Sequence, residues 1–371
     1  MTYESRIDRK PDMLFTPFVN PSLQLRNHIV MAPMTRHRAV EHNTPNALIA
    51  EYYSQRATAG LIVTEGTSPS PNGLGYPRIP GLFNQAHVQG WKQVTQAVHA
   101  QGGKIFVQLM HTGRVAHADN LPSGAEVLGP TADICPGEIH TDSSGMQPHS
   151  APRAMTTEDI AHAVVEYARS AQLAIEAGFD GVELHAANGY LIEQFLNASV
   201  NRRTDGYGDG LHGRNRFALE VVRATVAAIG ADRVGIRLSP FGVLNGTGGY
   251  PDVEAQYLAL VKELSQLGIL YVHLLDHSAL GAPPVPAELK LHLRSAFKGL
   301  LILAGGFDQE SAERALKEGQ ADLIAVGRPF IANPDLVARM QTGAPLNPLD
   351  MATLYTPGHE GYTDYITLNL A

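Results

Sequence analysis

Eight short apolar runs recur along the chain, and each is followed by a stretch with the hydrophobic spacing of a helix. The runs cover residues 29–32, 61–64, 104–110, 181–185, 234–238, 270–275, 301–304 and 323–326. Strands that are buried on both faces read as nearly continuous apolar runs, and their alternation with helices favours a parallel sheet. The pattern therefore predicts an α/β fold, a single (β/α)₈ TIM barrel over residues 1–371, with its chemistry at the carboxyl ends of the strands.

Three segments lie outside the repeating pattern. Residues 15–27 read as an N-terminal hairpin that closes the bottom of the barrel. Residues 111–153 are rich in Gly, Pro, Ser and His, and predict a long excursion over the active-site mouth that could act as a lid. A second long connection covers residues 191–213. A barrel takes about 250 residues, so long active-face loops account for the remaining chain better than a second domain does.

Polar residues interrupt three of the apolar runs near their ends. Because side chains alternate along a strand, Gln108 shares a face with Met110, Glu183 shares a face with His185, and Arg237 opposes its apolar neighbours. An amide, an imidazole and a guanidinium are thus expected to face one cavity. The alternative is an interior layer of polar groups that satisfy one another by hydrogen bonds.

Composition excludes several classes of function. A formal net charge of −8 argues against a nucleic-acid partner, since backbone recognition needs clustered Lys and Arg. No apolar stretch is long enough to span a bilayer and the N-terminus lacks a secretory signal, so we expect a cytoplasmic protein without a membrane partner. One cysteine permits no intrachain disulfide, cysteine zinc cage or four-thiolate iron–sulfur cluster.

Two neighbouring strand ends carry the pattern of a phosphate site. Gly305 and Gly306 follow the seventh run, and Gly327 and Arg328 follow the eighth. Barrels commonly bind phosphate at these two loops, where backbone N–H groups and a bidentate arginine can reach an anion. No P-loop or strand-linked G-x-G-x-x-G motif is present, so a nucleotide bound in those ways is not indicated.

Motifs along nearly the whole chain resemble the classical Old Yellow Enzyme family, the FMN-dependent ene-reductases. The matching stretches are NHIVMAPMTR (27–36), LIVTEGT (61–67), VQLMHTG (107–113), HAANGYL (185–191), NRRTDGYG (201–208), RLSP (237–240), AGGF (304–307), VGRP (326–329) and EGYTDY (360–365). The HAANGYL run together with NRRTDGYG is highly specific. Thr35, where another branch of the family has cysteine, indicates the classical branch.

The resemblance implies non-covalent FMN over the carboxyl ends of the strands. Thr35 would bind near the flavin C4 carbonyl, Gln108 would bind the pyrimidine edge, and Arg237 would face N1 and the C2 carbonyl. The remaining cofactor residues would line the isoalloxazine (Pro33, Met34 and Gly66) or hold the phosphate (Gly305, Gly306, Gly327 and Arg328). A cation near N1 suits the negative charge that flavin reduction brings.

The resemblance also implies the reaction. FMN would be reduced by NAD(P)H, with the family favouring NADPH, and would pass hydride from N5 to the β-carbon of an enone, enal, maleimide or nitroalkene. His185 and Asn188 would bind the activating oxygen, and Tyr190, protonated at neutral pH, would give a proton to the α-carbon. Activity would extend to nitrate esters or nitroaromatics, because they offer the same oxygen.

One position departs from many relatives, which carry tryptophan where this chain has Met110. A flexible thioether should enlarge that side of the pocket, where Tyr76 and Tyr355 would complete an aromatic wall. The family contains monomers and homodimers, and both states stay open here.

Two alternative functions remain. A metal-dependent barrel hydrolase would use some of the 16 histidines, and His273 and His277 have i,i+4 spacing, although they fall on a strand end rather than a helix. A flavin-carrying redox sensor or binding protein without alkene turnover is the other. The complete set of His185, Asn188 and Tyr190 argues against the latter, and we expect no metal.

Overall fold

A computed structural model of the protein describes residues 12–368. Eight parallel strands close into a barrel, and a short antiparallel hairpin precedes them. The hairpin is β1 (Phe18–Asn20) and β2 (Leu23–Leu25); the barrel begins with β3 (Ile29–Met31), β4 (Leu61–Thr67) and β5 (Ile105–Leu109). Four short strands follow: β6 (Leu128–Gly129), β7 (Glu138–Thr141), β8 (Gly145–Pro148) and β9 (Arg153–Ala154). The barrel then continues with β10 (Gly181–Ala186), β11 (Val234–Leu238), β12 (Tyr271–Leu275), β13 (Leu300–Ala304) and β14 (Leu323–Val326).

Helices on the outside connect the barrel strands. They are α1 (Ala47–Gln55), α2 (Gln85–Ala100), α3 (Thr157–Glu176), α4 (Leu191–Leu196), α5 (Gly210–Ile229), α6 (Val253–Leu267), α7 (Ala287–Ala296), α8 (Gln309–Lys317), α9 (Arg328–Ala332) and α10 (Leu336–Thr342). The strand order confirms the (β/α)₈ prediction, and all eight predicted runs are strands.

The N-terminal hairpin lies at the bottom of the barrel, as predicted. Leu23 and Leu25 pack in one buried cluster with Leu61, Leu300 and Leu323, each of which is the first residue of its strand. The amino end of the barrel is therefore filled with apolar side chains.

Local signals explain where the crossover helix α3 begins and ends. The Thr156 hydroxyl oxygen accepts a hydrogen bond from the N–H of Asp159, and the Asp159 carboxylate accepts one from the N–H of Thr156, which forms a capping box. Gly178, in the left-handed region at φ +89°, follows the helix and lets the chain turn into β10. These residues set the point at which β10 begins, and so the position of the polar residues at its end.

The two long connections contain structure that the sequence pattern did not predict. Within residues 111–153, β7 and β8 form an antiparallel hairpin, and β6 pairs with β9 at the base of the excursion. In the second connection α4 begins directly after Tyr190, and its residues are buried. A buried helix immediately after the strand end holds the intervening turn, residues 187–190, in place.

Candidate functional site

A cavity of about 410 Å³ opens at the carboxyl ends of the barrel strands. Eleven of the predicted site residues line it: Pro33, Thr35, Gly66, Tyr76, Gln108, Met110, His185, Asn188, Tyr190, Arg237 and Tyr355. They come from β4, β5, β10 and β11 and from the loops that follow other strands. Side chains far apart in sequence thus meet at one mouth, as the barrel prediction required.

Beneath the cavity lies an interior layer of polar side chains that hydrogen-bond to one another. This was the alternative to a ligand-facing role for these strand residues, and it holds for some of them. Gln108 Nε2 donates to Glu183 Oε1 (2.8 Å), while the Tyr271 hydroxyl donates to Glu183 Oε2 (3.0 Å). His273 Nδ1 lies 2.8 Å from the same Oε2. Both carboxylate oxygens of Glu183 are therefore occupied by contacts within the protein. Gln108 both belongs to this layer and lines the cavity.

Arg237 differs from the rest of the polar layer, because no hydrogen bond occupies its guanidinium among the described residues. Its side chain is buried, and Nε has no partner there. Burial lowers the pKa of Arg237, and the nearby Glu183 carboxylate opposes that shift. A buried guanidinium with free donors aimed into a cavity is suited to an anionic or strongly hydrogen-bonding ligand.

His185 and Asn188 converge at the end of β10. Nε2 of His185 and Nδ2 of Asn188 are 3.5 Å apart, so both nitrogens can donate to a single oxygen between them. Burial, with the Arg237 cation as the second cause, lowers the pKa of His185 well below its ordinary value. The imidazole is therefore neutral and carries one N–H.

The backbone around Asn188 is fixed by hydrogen bonds. Asn188 is in the left-handed region, at φ +60°, and its N–H donates to Ser239 Oγ (3.0 Å). Ser239 in turn donates to Glu193 Oε1 (2.9 Å), and Glu193 Oε2 accepts the N–H of Gly189 (2.5 Å). A buried carboxyl on α4 thus organises the turn that presents the pair.

Tyr190 stands beside the pair, with its ring 4.9 Å from that of His185 between centroids. Its hydroxyl donates to the Tyr76 hydroxyl at 3.2 Å. Burial raises the pKa of both hydroxyls above the ordinary value of 10. The phenol of Tyr190 therefore keeps its proton at neutral pH and can donate it.

Sequence reasoning missed five residues of the cavity wall: His37, Glu138, Ile139, His140 and Met146. Four of them belong to the β7–β8 hairpin, whose position over the cavity is not encoded locally. His37 is buried between Tyr76 and Tyr355, with ring centroids 5.8 and 5.0 Å away. In the sequence, its place two residues after Thr35, on the loop after a predicted strand, was the only indication that His37 could lie at the cavity.

The predicted phosphate residues do not line this cavity. They lie at the ends of β13 and β14, which are adjacent strands. A Cβ on Gly305 would be 2.5 Å from the Asp276 carbonyl oxygen, so only glycine fits there. Among the described residues, the N–H groups of Gly305, Gly306 and Gly327 donate to no protein acceptor. Met34, which lies in the chain between the cavity residues Pro33 and Thr35, is close to this second region, since its Sδ is 3.6 Å from a Cβ position on Gly327.

The histidines considered for a metal site are used otherwise. His273 contacts Glu183, and His277 Nε2 lies 2.9 Å from Asn188 Oδ1. Across residues 12–368, no three His, Cys, Asp or Glu side chains are grouped to hold a metal ion. In the same part of the chain, no helix has the length and apolar character needed to cross a membrane.

Comparisons with known proteins find relatives along nearly the whole chain. The sequence profile of the NADH:flavin oxidoreductase / NADH oxidase family matches residues 13–347. The chain is 43% identical to chanoclavine-I aldehyde reductase of Penicillium roqueforti, over 95% of each chain. It is 43% identical to 12-oxophytodienoate reductase 1 of Oryza sativa subsp. japonica, over 95% of this chain and 92% of the relative. A solved structure of morphinone reductase in complex with tetrahydroNAD is similar with a TM-score of 0.91 and 43% identity, covering 96% of this chain and 98% of that one.

Proposed function

The chain belongs to the NADH:flavin oxidoreductase / NADH oxidase family, and from this premise we propose that it is an FMN-dependent reductase of electron-poor alkenes, driven by NADH or NADPH. The relatives it resembles are named as reductases, and one was solved with a nicotinamide analogue. The observation that carries the proposal is the convergence of His185, Asn188 and Tyr190 on the cavity that Arg237 also faces.

The residues present fit FMN. Arg237 offers buried, unused donors, and the glycine N–H groups at the ends of β13 and β14 are free among the described residues. Gly66 keeps one wall flat, since a Cβ there would overlap Met110 Sδ. Our assignment places the ring against Pro33, Met34, Thr35, Gly66, Gln108 and Arg237, and the phosphate at Gly305, Gly306, Gly327 and Arg328. Bound FMN supplies the two-electron chemistry, taking a hydride from the nicotinamide and giving one to the alkene β-carbon.

His185 and Asn188 bind the oxygen of the activating group. Two neutral N–H donors directed at one oxygen draw electron density from the conjugated alkene, and they stabilise the negative charge that develops there. A neutral His185 suits this role, because it can donate without taking the charge itself. A carbonyl or nitro oxygen satisfies both donors, so the site favours enones, enals, maleimides and nitroalkenes.

Tyr190 completes the addition by giving its hydroxyl proton to the α-carbon. The hydroxyl lies in the same cavity as His185 and Asn188, and a raised pKa keeps it protonated at working pH. The Tyr76 hydroxyl, 3.2 Å away, is a hydrogen-bond partner that positions the Tyr190 hydroxyl oxygen. Tyr76, Met110 and Tyr355 contact the rest of the substrate in our assignment.

The test is to purify the protein, identify the flavin, and follow its absorbance anaerobically. NADPH and NADH, added separately, should bleach the flavin, and 2-cyclohexenone should restore it with formation of cyclohexanone. His185→Ala and Asn188→Ala should each keep FMN yet slow the restoration and weaken a phenolic ligand. A panel of nitrate esters and nitroaromatics defines the range of electron acceptors.

Two results would contradict the proposal. A protein that is reduced but gives no product with any acceptor would be a flavin carrier rather than a reductase. Loss of FMN in the Asn188→Ala and His185→Ala variants, with unchanged turnover per flavin, would show that the pair holds the cofactor and not the substrate.

A further inference from the structure

His277 contacts the amide of Asn188 but does not itself line the cavity. It lies on the loop directly after β12 and is buried, and its Nε2 is 2.9 Å from Asn188 Oδ1. Its Nδ1 has no partner among the described residues and faces the backbone at Gly242, where a Cβ would be 3.2 Å away. Within residues 12–368 the side chain therefore makes one hydrogen bond, and that bond is to Asn188.

The amide of Asn188 can take two orientations of nearly the same shape. Its backbone is held at both ends, because the N–H donates to Ser239 and the carbonyl accepts from Asn245 Nδ2 (2.8 Å). A rotation of 180° about the last side-chain bond would exchange the oxygen and nitrogen of the amide with little change in shape. One orientation presents N–H groups to the cavity, and the other presents a carbonyl oxygen.

The two orientations have opposite consequences for a ligand. An activating carbonyl or nitro oxygen has only lone pairs, so it can bind Nδ2 of Asn188 and is repelled by Oδ1. The separation of 3.5 Å between Nδ2 and His185 Nε2 allows both nitrogens to reach one such oxygen at hydrogen-bonding distance. The site therefore needs a group that holds Oδ1 away from the cavity.

We propose that His277 is the positioning residue that fixes this orientation, by donating Nε2–H to Asn188 Oδ1. The proposal rests on the function proposed above, in which Asn188 binds the activating oxygen. Burial, with Arg237 as the second cause, lowers the pKa of His277 to about 4, so the imidazole is neutral and has one N–H to donate. The tautomer with the proton on Nε2 makes the contact attractive, and it leaves Nδ1 as a bare lone pair.

The experiment is a double-mutant cycle on the FMN-loaded enzyme, with 4-hydroxybenzaldehyde as the probe. Dissociation constants are measured by titrating the flavin absorbance of the wild type, His277→Met, Asn188→Ala and the double variant. Loss of one neutral hydrogen bond should raise the dissociation constant about tenfold in His277→Met. The same substitution should change nothing further in the Asn188→Ala background, because no amide is left to orient.

Two further variants separate positioning from packing. His277→Gln restores an N–H donor on a side chain of similar length, so it should bind the probe within about threefold of the wild type. His292→Met applies the same change to an exposed histidine on α7 and should have no effect. FMN content, measured for every variant, identifies any that fail to fold; if His277→Met is one, His277→Leu takes its place in the cycle.

The outcomes distinguish this inference from the proposed function. If Asn188→Ala weakens the probe but the donor-free His277 variant does not, or if that variant is equally damaging with and without Asn188, His277 has no orienting role. If Asn188→Ala leaves the probe unaffected, the assignment of Asn188 to the activating oxygen fails, and the role of His277 falls with it.

Discussion

Tyr190 offers the sharpest test at the scale of single residues, because Tyr190→Phe removes one hydroxyl and leaves the ring in place. Flavin binding and reduction by the nicotinamide should survive. Reoxidation by cyclohexenone should slow by about 10² to 10⁴, the usual contribution of a positioned general acid. This corresponds to roughly 3 to 5 kcal/mol of activation free energy.

Stopped-flow measurement of the two half-reactions checks this prediction. A nitroalkene serves as the control acceptor, since its two-electron product is a stabilised nitronate that solvent can protonate later, and its rate should fall less. An undiminished enone rate would remove Tyr190 from proton transfer. Slower flavin reduction would assign the hydroxyl to the other half-reaction.

Met110 is expected to set the width of the pocket. Its side chain is buried in a small cluster with Leu74 and Ile79, and it lies directly over Gly66. Met110→Trp should therefore narrow the cavity and favour enones with small β-substituents, or invert the face of the alkene that is reduced. Equal rates and equal product configuration across a series of β-substituted enones would show that this position does not limit the substrate.

The accuracy of sequence reasoning at this scale depended on strand parity. Alternation along β5, β10 and β11 placed Gln108, His185 and Arg237 at the cavity, because the period of a strand fixes which face a side chain takes. His277 and His37 contact the site from loops after other strands. Their positions depend on how the ends of two strands meet in the fold, and local sequence periodicity does not predict such contacts.

At the scale of elements, Arg78 connects the excursion to the cavity wall. Its guanidinium pairs with Asp142, at the tip of the β7–β8 hairpin, and also donates to the carbonyl oxygens of His37 (3.2 Å) and Tyr355 (3.0 Å). Three loops that border the cavity are thus joined by one side chain. The excursion was predicted by its length and composition, but the hairpin within it was not, because β7 alternates over only four residues.

Arg78→Ala should release the hairpin from the mouth. We expect a several-fold higher KM for alkenes and faster proteolysis within residues 138–148, with FMN content unchanged, because Arg78 is not among the residues assigned to the flavin. Arg223→Ala removes an exposed ion pair to Glu263 between α5 and α6, and serves as the matched control. A variant with the KM and protease sensitivity of the control would show that the hairpin is held by its other contacts.

At the scale of the whole molecule, the hydrophobic periodicity of the chain was sufficient to predict the fold. Buried parallel strands must be apolar on both faces, and each crossover needs a helix. The eight strand–helix units can therefore be recognised from the sequence pattern. The burial that produces this pattern also shifts the pKa values of ionisable groups throughout the barrel. Among the described residues, burial is the largest cause of lowered pKa values for eight histidines: His28, His37, His87, His111, His149, His185, His273 and His277.

These histidines predict loss of stability in mild acid. A histidine with a folded pKa below 6.5 takes up a proton on unfolding, so its contribution to stability is present above pH 6.5 and is lost as the pH falls. Glu65 and Glu193 act in the opposite direction, because burial raises the pKa of each to about 7. Histidines outnumber such carboxyls, so the melting temperature should fall steadily from pH 7 to pH 5.

His111→Asn isolates one contribution to this slope. Burial lowers the pKa of His111 to about 3, and its Nδ1 accepts the Gly113 N–H at 3.0 Å, an interaction that the asparagine carbonyl can keep. Between pH 6 and 5 the variant should lose about 1.4 kcal/mol less unfolding free energy per pH unit than the wild type, since one fewer proton is taken up. The exposed His292→Asn should leave the slope unchanged. Parallel pH profiles for wild type and His111→Asn would mean that His111 is protonated in the folded barrel, or stays neutral in both states.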